Sequence, residues 1–137
     1  MLERGEIMNV PITLANGSTV ELNNITESGN GYIRFSDGTQ ICYHSLMADI
    51  NEKTIGPGKC FSTNVTYPKP FIDYPVITPS HQINSKTTNI EYSTHKVYVE
   101  GCASTEREAK IEFTNDSDES INASSVYVSY IAIGRWK

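Results

Sequence analysis

The stretch Ser125-Val126-Tyr127-Val128-Ser129-Tyr130-Ile131-Ala132-Ile133-Gly134 constrains the fold more than any other part of the chain. Successive side chains of a strand point to opposite sides. Alternation therefore places Val126, Val128, Tyr130 and Ala132 on one face and Tyr127, Ser129, Ile131 and Ile133 on the other. Apolar residues on both faces predict a strand buried on both sides. A sandwich core can cover one face and a neighbouring subunit the other, which makes Tyr127, Ile131 and Ile133 candidate oligomer-interface residues. The composition agrees with a sheet protein. The 137 residues include 36 β-branched ones (15 Ile, 8 Val, 13 Thr) against 10 Ala and Leu. Branched Cβ atoms suit pleated strands and lose rotamer freedom in helices, which argues against a helical bundle.

The rest of the chain reads as short strands separated by turn signals. Ile12 and Leu14 alternate up to Asn16-Gly17, and Val20 and Leu22 continue beyond it. This predicts a hairpin with a two-residue turn, because Asn and Gly both tolerate positive φ. The stretch from Asn23 to Gly31 reads as a linker, followed by a second hairpin with strands Gly31–Phe35 and Thr39–His44 about the turn Asp37-Gly38. The signal fades from Ser45 to Gly58, where Leu46–Ile50 fits a strand edge or a short turn of helix. Phe61–Tyr67 alternates, and Pro68, Pro70 and Pro75 then forbid a central strand. Val76–Ile83 reads as a strand whose Pro79 marks an edge or bulge, Asn89–Tyr92 is weak, and His95–Cys102 and Ala109–Thr114 are clear. The acidic stretch Asn115–Ser120 reads as an exposed loop. Strands at this spacing predict an all-β antiparallel sandwich in a chain of single-domain size. No repeat of 20–50 residues is visible.

Several function classes fall away. The net charge of −5 supplies no cation excess to neutralise phosphates, so nucleic acid is not an expected partner. Cys42, Cys60 and Cys102 cannot all pair within one chain and form no CxxC motif, which predicts reduced thiols in a protein made in a reducing cytoplasm. The first residues, Met1 to Ile7, form no signal core, and no apolar run approaches the roughly 20 residues that span a bilayer. Five Asn-X-Ser/Thr sequons, at Asn16, Asn24, Asn64, Asn115 and Asn122, therefore read as unused. HExxH, GxSxG, Walker and dinucleotide-binding fingerprints do not occur. His44, His81 and His95 lie far apart, and Asp116-Ser117-Asp118-Glu119 lacks the glycine and terminal glutamate of an EF-hand loop. No cofactor, metal or catalytic constellation is expected.

Aromatic and polar residues remain. Tyr and Trp offer a flat apolar face for the C–H groups of a sugar ring, while its hydroxyls need Asp, Asn, Arg or His partners. Tyr92, His95, Tyr98, Arg135 and Trp136 are residues of this kind.

Two segments carry a resemblance. Gly29-Asn30-Gly31-Tyr32-Ile33-Arg34-Phe35-Ser36-Asp37-Gly38-Thr39-Gln40-Ile41-Cys42-Tyr43 resembles the G-x-Y-I-R-F-x-D-G-T-Q-I-C segment common in the C-terminal domains of bacteriophage and prophage tail fibres. From Phe61 to Trp136 the chain runs through Phe71-Ile72-Asp73-Tyr74-Pro75-Val76, a strand ending in Phe113 and a polar loop to Val126–Trp136. That order is similar to the H-type lectin-like domain at the tips of such fibres. The resemblance implies a hairpin segment or fibre stub over 1–58, then a receptor-binding sandwich of about six strands over 59–137. It further implies a homotrimer that binds a bacterial surface glycan between subunits near the loop before the last strand, here Asn115, Asp116 and Asp118. The aromatic-His-Asp cluster of the animal lectins is replaced by Asn115-Asp116-Ser117-Asp118, so galactosamine-type specificity is not carried over. A virion tail location with other tail proteins as partners follows, the chain being made in the host bacterial cytoplasm and released by lysis. A purely structural trimerisation cap is the alternative, and an enzyme the least favoured reading.

Overall fold

In the computed structural model, residues 12–20, 24–47, 54–83, 97–122 and 126–137 are described. Every regular element among them is a strand. In chain order these are β1 (Ile12–Thr13), β2 (Thr19–Val20), β3 (Ile25–Gly29), β4 (Tyr32–Phe35), β5 (Thr39–Met47), β6 (Thr54–Ile55), β7 (Lys59–Thr66), β8 (Val76–Ile83), β9 (Val97–Ala103), β10 (Glu108–Asn115), β11 (Ile121–Asn122) and β12 (Val126–Arg135). A five-stranded sheet in the order β3-β4-β5-β12-β8 packs against a three-stranded sheet in the order β7-β10-β9. The pairs β11-β6 and β1-β2 stand beside them, and every pairing is antiparallel. The expected all-β sandwich preceded by hairpins is present, with eight strands in its two layers where about six were expected, since β4 and β5 of the second hairpin join the larger sheet.

The core lies between the layers. Val126, Val128, Tyr130 and Ala132 of β12 are buried there against Ala109, Ile111 and Phe113 of β10. The layers meet through rings: His81 of β8 stands edge-on to Phe113 with centroids 5.8 Å apart. Tyr67 stacks edge-on with Phe71 and Tyr130 at 5.1 and 6.0 Å. Tyr67 and Phe71 come from the proline-rich stretch, which carries no strand but plugs the end of the core. Gly134 admits that plug, since a Cβ there would lie 2.8 Å from Phe71 Cδ1. Pro79 lies in β8, an edge strand, where a missing N–H leaves no ladder bond broken inside the sheet.

The structure corrects three expectations. The stretch expected to be a linker contains β3, which pairs with β4 across Asn30-Gly31. Its place on the sheet edge and one bulge between Ile25 and Glu27 explain why it carries little alternation. The first hairpin's turn has three residues rather than two, and the second closes in the same way. Gly17 N donates to Leu14 O at 2.9 Å and Gly38 N to Phe35 O at 3.1 Å, and of each loop only the glycine has positive φ (79° and 92°). This is a type I turn closed by a glycine bulge, another solution open to Asn-Gly and Asp-Gly. Lastly, β5 lies before residue 58 yet pairs with β12 from Thr39↔Arg135 to Met47↔Tyr127. Residues on both sides of the expected division at 58/59 therefore share one sheet and one core.

Candidate functional site

The residues singled out from sequence do not converge on one site. Asn115 ends β10 with no exposed surface, which corrects its assignment as a sugar contact and the expectation of a wholly exposed loop. Its Nδ2 donates to Ile55 O and Glu119 O, both at 2.8 Å. Its Oδ1 accepts from Ser117 N at 3.1 Å and from Ser117 Oγ, so the side chain is spent on closing its own loop. Ser117 is buried with it, while Asp116 and Asp118 face solvent. Tyr98 is exposed on the outer face of the three-stranded sheet, opposite Thr114 in register. Arg135 belongs to the opposite side of the sandwich, on the outer face of the five-stranded sheet opposite Thr39. Tyr92 and His95 lie outside the described residues.

Trp136 serves the fold. Its Nε1 donates to Phe35 O at 3.0 Å, and the Arg34 guanidinium and the Lys137 ammonium lie 5.0 and 5.1 Å from its ring centroid. Arg34 is the centre of a polar hub that accounts for the tail-fibre-like segment. It donates to Gln40 Oε1 at 2.6 Å and to Glu27 at 3.0 Å. Gln40, fully buried, donates to Lys69 O at 3.0 Å. Glu27 also accepts from the Tyr32 hydroxyl at 2.8 Å and pairs with Lys69 at 3.1 Å. The Tyr32 hydrogen bond first, then the Lys69 bond, hold the Glu27 carboxyl down at about 2, and the same hydrogen bond pushes the Tyr32 phenol up. The polar residues of the segment thus fasten β3 and β4 to the proline-rich stretch.

An open groove of about 510 Å³ lies on the outer face of the five-stranded sheet, and sequence reading missed it. Register builds it. Ser129 of β12 lies opposite Ser45 of β5 on one side and Ser80 of β8 on the other. The next rung aligns Tyr43, Ile131 and Thr78, and the one beyond aligns Ile41, Ile133 and Val76. Ser129 Oγ donates to Ser45 Oγ at 2.9 Å. His44 and the Asn30-Gly31 turn also line the groove, and no carboxylate, lysine or arginine does so among the described residues. Around it the face is apolar and open in the single chain: Tyr127, Ile131 and Ile133 are 38, 50 and 47% exposed, Tyr43 43% and Val76 74%. The only sequence signal was Ser129, a hydroxyl interrupting an apolar stripe. Among the described residues no group of His, Cys, Asp and Glu could hold a metal ion.

The chain matches no protein-family model and no curated protein. Its fold is similar to that of a C-terminal portion of the P. aeruginosa R1 pyocin fibre (TM-score 0.53, 17% identity, 75% of this chain and 25% of that one). It is likewise similar to an N-truncated R1-type pyocin tail fibre (TM-score 0.54, 17% identity, 75% and 77%). The chain thus spans about a quarter of the first and three quarters of the second. At this identity the likeness establishes a shared fold.

Proposed function

We propose that the chain is the receptor-binding tip of a phage or prophage tail fibre, a non-enzymatic module that binds a bacterial surface carbohydrate as a homotrimer. The observation that carries this reading is the fold, similar over 75% of the chain to that of pyocin tail fibres. The tail-fibre-like segment Gly29–Tyr43 and the open apolar face of β12 support it. Covering Tyr127, Ile131 and Ile133 with sister copies supplies the driving force for assembly, at roughly 25 cal/mol per Å² of apolar surface removed from water. The tip sits in the virion tail with other tail proteins supplying the remaining fibre. The test is retention of the purified protein on envelope polysaccharide from candidate hosts, with its mass taken by light scattering. Retention at three times 15.2 kDa supports the reading, and a monomer retained on no envelope fraction overturns it.

A second reading, a trimerisation cap without a receptor, is favoured by the locked Asn115 loop. Changing Asp116 and Asp118 to Ala tests the loop as the receptor contact. Adsorption that survives removes that role from the loop, and adsorption absent even from the wild-type trimer leaves the cap.

A further inference from the structure

We propose that the hairpin β1-β2 is a second self-association surface, separate from the outer face of β12: its apolar side packs against the same side of two sister copies, and that contact holds it in shape. This rests on the reading of the chain as a homotrimer. Every residue from 12 to 20 is exposed, and the substantial contacts of β1 and β2 are with each other. The hydrogen bonds of the turn close inside the hairpin. Leu14 N donates to Ser18 O at 2.8 Å, Gly17 N to Leu14 O at 2.9 Å and Ser18 Oγ to Asn16 Oδ1 at 2.6 Å. A lone two-stranded hairpin is marginal in water, so a ribbon that its own chain leaves uncovered needs cover from outside.

Register gives the ribbon one apolar side. Ile12 lies opposite Val20, and Leu14 follows Ile12 by two residues, so these side chains share a face while Thr13 and Thr19 share the other. Ile12, Leu14 and Val20 are 47, 45 and 41% exposed. The charge pattern points to more of the same chain as their cover. From Ile7 to Val20 no residue is charged, although Glu6 and Glu21 flank the run and the chain carries a net charge of −5. A different protein can be matched by opposite charge, whereas identical copies set each charge against itself, so a surface that meets its own copies favours an uncharged run. The edges agree: neither β1 nor β2 holds a charge, a proline or a bulge, the usual devices that keep identical strands apart. Three apolar side chains per copy cover far less than the roughly 800 Å² that a stable interface buries on each partner. The hairpins therefore close on one another once the outer face of β12 has gathered the copies.

The experiment follows the full-length chain by hydrogen exchange over residues 12–20 and by light scattering across a dilution series. Wild type is compared with the single copy, reached by Ile131→Asp or by dilution, and with Leu14→Glu and Leu14→Lys. Hairpin amides should exchange about tenfold or more slower in the trimer than in the single copy. Each Leu14 variant alone should dissociate at a protein concentration about tenfold or more above that of wild type. Its circular dichroism spectrum should stay unchanged, because Leu14 belongs to no core of the single chain. A mixture of the two variants should associate more tightly than either alone, since glutamate then meets lysine across the shared face. Equal exchange in trimer and single copy overturns the proposal, as do Leu14 variants that associate like wild type. A mixture no tighter than its components overturns it too, because Leu14 would then face another surface of the sister copy. Each of these results leaves the tip reading standing, whereas wild type of 15.2 kDa at every concentration overturns the trimer and the hairpin contact together.

Discussion

Asn115 shows how a residue that looks like a ligand contact can be a structural keystone. Its carboxamide joins Ile55, Glu119 and Ser117, so Asn115→Ala would leave buried carbonyls unpaired. The expected loss is about 2–4 kcal/mol in urea unfolding, at the cost usual for buried groups stripped of their partners. Tyr67 presents the converse. Its hydroxyl is buried with no hydrogen-bond partner among the described residues, and burial pushes the phenol up to about 12. Tyr67→Phe keeps the ring contacts and removes an unpaired group, so it should raise stability by up to about 1 kcal/mol in the same unfolding assay. Glu27 sets an acid dependence. Its carboxyl is held at about 2 against an ordinary 4.5, so the stability it lends is present above pH 4.5 and is lost as pH falls towards 2. Exposure limits that contribution to under about 1 kcal/mol. Glu27→Gln should therefore show a flatter stability–pH curve between pH 4.5 and 2, with the two proteins converging at the acid end.

At the scale of elements, strands with a period of two were legible. β7, β10 and β12 lie where Phe61–Tyr67, Ala109–Thr114 and Ser125–Gly134 alternate, because one buried face enforces the pattern, and β8 lies over the strand read at Val76–Ile83. β3 was not legible, since Ile25 is its only large apolar residue and Glu27 secures it through partners in β4 and the proline-rich stretch. Turn length escaped for a different reason: Asn-Gly serves two-residue and three-residue loops alike, and the register of the flanking strands chooses between them. The groove escaped because Ser45, Ser80 and Ser129 meet only through strand pairing. The same pairing makes the plug of Tyr67 and Phe71 sensitive to β12. Gly134→Ala would set a methyl 2.8 Å from Phe71 Cδ1 and 3.2 Å from Pro75 Cα. Overpacking of this kind costs about 1–3 kcal/mol, so a lower melting temperature is expected, together with faster proteolysis around residues 67–75.

For the whole molecule, the two flanks of β12 divide the labour of folding and assembly. Val126, Val128, Tyr130 and Ala132 are buried by the chain itself, so their burial belongs to the folding of one copy. Ile131 and Ile133 stay half exposed in that copy, and the proposed trimer would cover them. A carboxylate introduced at Ile131 or Ile133 is therefore solvated in the single chain and desolvated in the proposed trimer, where an unpaired buried charge costs several kcal/mol in order of magnitude. Ile131→Asp and Ile133→Asp should each give a folded protein with a sheet-type circular dichroism spectrum. Light scattering should show 15.2 kDa rather than three times that mass. Val128→Asp, on the opposite face, should fail to fold at all, because its carboxylate would enter a core that no dissociation can open. A trimer persisting in Ile131→Asp and Ile133→Asp would mean that copies associate through a different surface, and the apolar stripe of β12 would then need another partner.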